Sequence, residues 1–204
     1  MQDRWNSRRA ASRGFAGGML ILALAVISAC GQANTTGRSA TYLVIDSLQA
    51  ASGAKPDTFS TTLKSDVVTK GSIYEDPGKV TMHIALKDAT ATITPTSINA
   101  VTVTRYHVSF RRTDGRNTQG VDVPYAFDGG ATGTFDSSGG SLVFVIVRGQ
   151  AKLESPLMSL RDQGGSIIIS TLADVTFYGQ DQNGSAISVT GTISVNFADW
   201  ADPA

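Results

Sequence analysis

The residues able to do chemistry are few in this chain, and most stand alone. Cys30 carries the only thiol, and His83 and His107 the only imidazoles. The two histidines fit no spaced metal motif, so each reads as a solvated side chain on the wet face of its strand. A weak metal site would arise there only if those two strands paired. Arg105, His107 and Arg111 fall on one side of a strand if a bulge precedes Arg105, with Arg112 and Arg116 nearby. Guanidinium groups in that array could grip phosphate or carboxylate through bidentate contacts; a solvated charged face is the plainer alternative. Tyr125 and Phe127 beside Pro124 could stack on sugar rings, or pack over a sheet edge. Asp181 and Asn183 could offer oxygens to calcium, but the full loop of regularly spaced acids is missing and a hairpin turn accounts for both. There is no Gly-x-Ser-x-Gly elbow and no set of nucleophile, base and acid. The sequence therefore leads us to expect no catalytic residues, no metal and no cofactor.

The elements that must position these residues begin at the N-terminus. Arg4, Arg8, Arg9 and Arg13 form a basic start, and the uncharged run Phe15 to Ala29 follows, rich in Leu, Ile, Ala and Val. A helix crossing ~30 Å of hydrocarbon needs ~20 apolar residues, so this shorter run fits a secretory signal better than a permanent span. Ile27, Ser28, Ala29 and Cys30 close it. These four residues resemble the lipobox of bacterial lipoproteins: a branched aliphatic, two small residues that let a peptidase hold the extended backbone, then the cysteine. The resemblance implies that the Cys30 thiol receives a diacylglycerol, that the chain is cut before it, and that the new amine is acylated. Two or more acyl chains anchor stably where one is marginal. Cleavage by an ordinary signal peptidase is the alternative. Arg8 and Arg9 after Ser7 resemble a twin-arginine signal in part, but Ala10, Ala11 and Ser12 follow where such a signal carries an aromatic or aliphatic pair.

Residues 1–29 thus read as a signal peptide, 30–40 as a solvated tether without a large apolar residue, and 41–204 as one folded domain. Removing Arg4, Arg8, Arg9, Arg13 and Asp3 turns 17 basic and 17 acidic residues into 13 and 16, three units negative. That balance argues against nucleic acid, whose footprint is a basic patch. Gly31 follows the cysteine where an Asp would mark inner-membrane retention, so the resemblance implies an outer-membrane location in a Gram-negative envelope.

From Thr41 onward the chain reads as strand after strand. Thr41 to Leu48 is rich in Leu, Val, Ile and Tyr, and Ser60 to Thr69 is a weaker strand. Asp76, Pro77 and Gly78 form a turn signal ahead of Val80 to Lys87, where apolar and polar residues alternate cleanly. Asp88 to Asn99 reads as a loop. Ala100 to Arg112 is a long strand whose apolar phase slips, implying a bulge near Thr104 or Arg105. Pro124 makes Gly120 to Gly130 an edge strand or an ordered loop. Ser141 to Val147, apolar on both faces, reads as a central strand, and a brief helical turn is expected after Pro156. Ile167 to Ile169, Val175 to Gly179 and Ala186 to Phe197 complete the set, the last two joined through Asn183 and Gly184, the strongest hairpin signal in the chain.

About eight or nine strands without a long helix predict an all-β fold, a single antiparallel sandwich. The closing hairpin resembles that of immunoglobulin-like and fibronectin type III-like bacterial modules. With the lipobox, the segment Tyr42 to Thr58 and the run Val121 to Gly129, the chain resembles a group of uncharacterised bacterial lipoproteins. This implies a monomeric, membrane-anchored envelope protein with a structural or interaction role. A binding module for glycans or anionic envelope polymers, working through the Arg105 face or the Tyr125 loop, is the alternative, and a hydrolase has the least support. An envelope protein or polysaccharide is the expected partner.

Overall fold

The computed structural model describes residues 38–200. Eight strands lie among them: β1 (Thr41–Ala50), β2 (Thr62–Asp66), β3 (Asp76–Leu86), β4 (Val101–Arg111), β5 (Phe127–Phe135), β6 (Gly140–Val147), β7 (Ile169–Asp181) and β8 (Ala186–Ala198). The only helical segments among the described residues are 3-10 turns at Ser97–Asn99, Gly149–Leu153 and Leu157–Leu160. The last of these is the turn expected after Pro156. Strands β1-β3-β6 form one sheet and β2-β8-β7-β4-β5 the other.

Period-2 sequences build both sheets. In β3, Val80, Met82 and Ile84 point inward, while Thr81 and His83 are half-exposed. In β7, Ile169, Thr171, Ala173, Val175, Phe177 and Gly179 are the inward set. The polar Thr171 is admitted because its hydroxyl donates to the Val195 carbonyl. One core joins the sheets: Phe144 of β6 meets Phe177 of β7 edge to face at 5.2 Å and Tyr106 of β4 at 5.1 Å. Such edge contacts set the negative ring face against the positive ring edge. The Tyr106 hydroxyl also accepts the Val145 N–H at 3.2 Å, a polar bond between the sheets. Gly191 lies where Ile45 and Leu48 of β1 press on β8.

Three expectations need correction. Asp76, Pro77 and Gly78 do not form a turn; they open β3. Pro77 is tolerated there because the β3–β6 register shifts between Asp76 and Pro77, so the missing N–H falls at a bulge, and the Phe144 ring covers Gly78. Strand β6 is an edge strand rather than a central one: its outward Val143 is 58% exposed. The pairing is not wholly antiparallel, because β2 runs parallel to β8. The closing hairpin turns tightly through Asn183 and Gly184, as expected. Asp181 N–H donates to the Ser185 carbonyl and Gly184 N–H to the Asp181 carbonyl, with only Gly184, at φ +78°, left-handed. That is a three-residue loop, a type I turn followed by a left-handed glycine. The expected bulge in β4 lies between Val103 and Arg105, in its pairing with both neighbours.

The strands give the domain two poles. Thr41 bonds the Asn99 carbonyl and Gln182 the Ala100 carbonyl, so the start of β1 shares one pole with the closing hairpin. Strand β1 runs ten residues from there to Ala50, ~30 Å at ~3.3 Å per residue. Strands β2 and β8 end together at the opposite pole, Asp66 beside Ala198.

Candidate functional site

A groove of about 940 Å³ opens at the pole opposite Thr41, bounded by the hairpin after β1, the outer side of β2, the turn after β2, and Trp200. Its volume falls within the range of small-molecule sites. Lys55, Lys64 and Lys70 line it together with Tyr74 and Trp200, and Asp66 is the only acidic residue among its described lining residues. Among these described residues three ammonium groups stand against one carboxylate. The Asp66 carboxylate is already engaged: Oδ1 accepts the Trp200 backbone N–H at 3.0 Å and Oδ2 the Thr69 hydroxyl at 2.6 Å. Lys64 Nζ stands 5.4 Å from the centre of the Trp200 ring, a cation–π distance. Tyr74 is 45% exposed.

Local backbone places these side chains. Thr69 and Ser72 exchange both backbone hydrogen bonds around Lys70 and Gly71, at φ +49° and +77°. Two positive φ values in a two-residue loop make a type I′ turn, whose first position suits Asn, Asp or Gly. Lysine there costs on the order of 1–2 kcal/mol, and the turn sets Lys70 on the groove wall.

Behind β2 sits a buried polar cluster that fixes two of the groove's segments. Strand alternation turns Lys64 and Asp66 outward and Ser65 inward. The Ser65 hydroxyl donates to Asp76 Oδ2 at 2.5 Å, while Asp76 Oδ1 accepts the Gly53 N–H at 2.8 Å and the Lys152 ammonium at 2.9 Å. Asp76 therefore ties β2 and the Lys55 hairpin to β3 and the 3-10 turn bearing Lys152. Burial pushes its carboxyl above the ordinary value, against the pull of Lys152, Ser65 and Gly53.

The structure also places the residues singled out in the sequence. The bulge ahead of Arg105 does put Arg105, His107 and Arg111 on one outward face, but carboxylates share it. Asp128 lies 3.3 Å from both Arg105 and His107, and Arg105 also stacks on Tyr178 at 4.2 Å. Asp174 takes Arg111 at 2.6 Å and the Thr192 hydroxyl at 2.6 Å. Burial would raise the Asp174 carboxyl, but Arg111 and Thr192 outweigh it and hold it below the usual range. Arg112 and Arg116 both bind Asp114 and hold its carboxyl far below that range. Tyr125 is exposed, whereas Phe127 is a core residue with Arg148 4.4 Å from its ring centre. His83 and His107 stand on different sheets, on strands that do not pair, so they form no joint metal site; His83 instead bonds Asp46 at 2.8 Å. Among the described residues no group of three or more His, Cys, Asp or Glu side chains could hold a metal, and no helix is long and apolar enough to cross a membrane. Cys30 lies outside the described residues.

The groove went unseen in the sequence because its residues come from four separate stretches with no shared spacing. Lys70-Gly71 between Thr69 and Ser72 was the one local signal, a turn with lysine where asparagine is usual. No protein-family model, curated protein or solved structure matches the chain, so its function rests on geometry.

Proposed function

We propose that this protein is an envelope interaction module, lipid-anchored through Cys30 and built on an immunoglobulin-like sandwich, which offers the groove at its far pole to a partner. The strand order supports the immunoglobulin-like reading: β1, β3 and β6 take the places of strands A, B and E, and β4, β7 and β8 those of C, F and G. The observation that carries the functional reading is the placement of the groove. Strand β1 starts with Thr41 at one pole, and the basic groove opens beyond Ala50 at the other. A tether that enters at Thr41 leaves the opposite pole open to a partner. The Arg105 face has less support, since Asp128 and Asp174 neutralise it.

Two measurements test this. Intact-mass analysis of the membrane fraction should show a chain beginning at Cys30 with diacylglycerol and acyl mass, and Cys30→Ser should leave it uncleaved or mislocalised. A photo-crosslinking residue at Lys55 should join the protein to envelope material in cells, whereas one at Asn99, at the opposite pole, should not. Equal capture at both positions, or none at Lys55, overturns the reading.

A further inference from the structure

The groove's chemistry narrows its partner. We infer that it binds an acidic sugar chain, with a sugar ring against the Trp200 and Tyr74 side chains and carboxylate groups on Lys55, Lys64 and Lys70; this rests on the groove being the contact surface proposed above.

Three observations converge on that occupant. The first is charge: among the described lining residues, three lysines stand against one carboxylate whose two oxygens already accept hydrogen bonds. Anionic groups thus meet donors without displacing an internal ion pair at Lys55 or Lys64, which have no carboxylate partner among the described residues. The second is the pairing of aromatic and hydroxyl surfaces. Tyr74 and Trp200 supply flat apolar faces, while Ser52, Thr58, Ser60 and Thr62 line the same groove. Alternating apolar and hydroxyl patches match a sugar ring, which presents C–H groups on its faces and hydroxyls at its rim. The buried Trp200 Nε1 has no hydrogen-bond partner among the described residues. The third is position. Anionic lipid headgroups would also suit lysines, but the groove faces away from the pole where the chain arrives, so a polymer beyond the membrane surface meets it more readily.

Lys70 stands on the groove wall in a left-handed backbone that asparagine also adopts readily. Lys70→Asn therefore removes the ammonium group while keeping the turn.

The test uses the full chain extracted in detergent and four surfaces: polygalacturonate, its neutral methyl ester, dextran, and vesicles of equimolar phosphatidylglycerol and phosphatidylcholine. Polygalacturonate should bind, the ester and dextran about tenfold more weakly or not at all, and Trp200→Ala and Lys64→Gln should each weaken binding by about tenfold. Lys70→Asn should also weaken it, with the fold kept. Absence of binding to polygalacturonate, equal binding to its ester, indifference to the variants, or preference for the vesicles each overturns the inference. Crosslinking at Lys55 in cells is read separately: if it persists while polygalacturonate fails to bind, the sugar assignment alone falls.

Discussion

Lys152 Nζ sits 2.9 Å from Asp76 Oδ1, and neither side chain is more than 1% exposed. Desolvating both charges is expensive, and their attraction offsets the cost only because Ser65 and Gly53 complete the carboxylate's hydrogen bonds. Removing one partner strands the other charge. Lys152→Met should therefore destabilise the fold by about 3–5 kcal/mol in chemical denaturation. Adding Asp76→Asn, which removes the second charge yet leaves an amide oxygen for Gly53 and Ser65, should restore more than half of that loss. A double variant no more stable than the single one would show that the pair's geometry, and not its charge balance, matters.

The closing hairpin gives a conformational prediction. Gly184 has φ +78° with nothing within 4 Å of a Cβ placed there, and Gly130 on edge strand β5 is equally open but has no positive φ. Gly184→Val should cost about 1–3 kcal/mol through backbone strain alone. Gly130→Val should be neutral or slightly stabilising, as β-branched residues favour strands. Thermal melts of the two variants compare the same substitution with and without the left-handed constraint.

Tyr106→Phe isolates the hydrogen bond between the sheets. The ring contacts with Phe144 and Phe177 survive, while the Val145 N–H loses its acceptor. A loss of about 1 kcal/mol is expected, together with faster amide exchange at Val145 than at its neighbours in β6.

Acid stability has an identifiable contributor. Burial alone would raise the Asp181 carboxyl, but the Ser185 N–H, the Ser39 hydroxyl and the Asn183 N–H outweigh it and lower its pKa. A carboxyl whose folded pKa is depressed adds stability that is fully present above its unfolded value of about 4 and is lost as pH falls through the folded value. Asp181→Asn should lower stability at pH 7 and flatten the decline below about pH 4. Unchanged pH dependence in denaturation series would remove Asp181 from this role.

How much of this was legible beforehand depended on whether a signal was local. Val80 to Ile84 and Val175 to Phe177 announced their inward faces through alternation, and the slip from Val103 to Tyr106 located a bulge now seen in two pairings. Gly184 was readable for the same reason, since its φ is a property of a few neighbouring residues. Asp76 was misread because Asp-Pro-Gly is a turn signal only when the chain is free to turn; here Lys152, 76 residues away, holds the aspartate in a strand. β6 read as central because its apolar residues occupy both faces, although only one neighbour pairs with it. The Arg105 face was foreseen as an array of cations, but the carboxylates of Asp128 and Asp174 come from other strands. For the groove the same holds more strongly, as Lys55, Lys70 and Trp200 meet only after β2 has crossed to the second sheet.

That crossing also shapes how the protein bears load. Strand β1 pairs with β3 in the first sheet and the chain then passes to β2, parallel to β8 in the second. In the proposed arrangement, tension between the anchor and a polymer held beside Trp200 would run along the axis of β1 and tend to slide it lengthwise past β3. The hydrogen bonds between the two strands then share the force together instead of opening one after another from an end. A domain pulled through these two points should resist extension far better than one peeled from the β6 edge, and single-molecule force measurements along the two directions would reveal the difference.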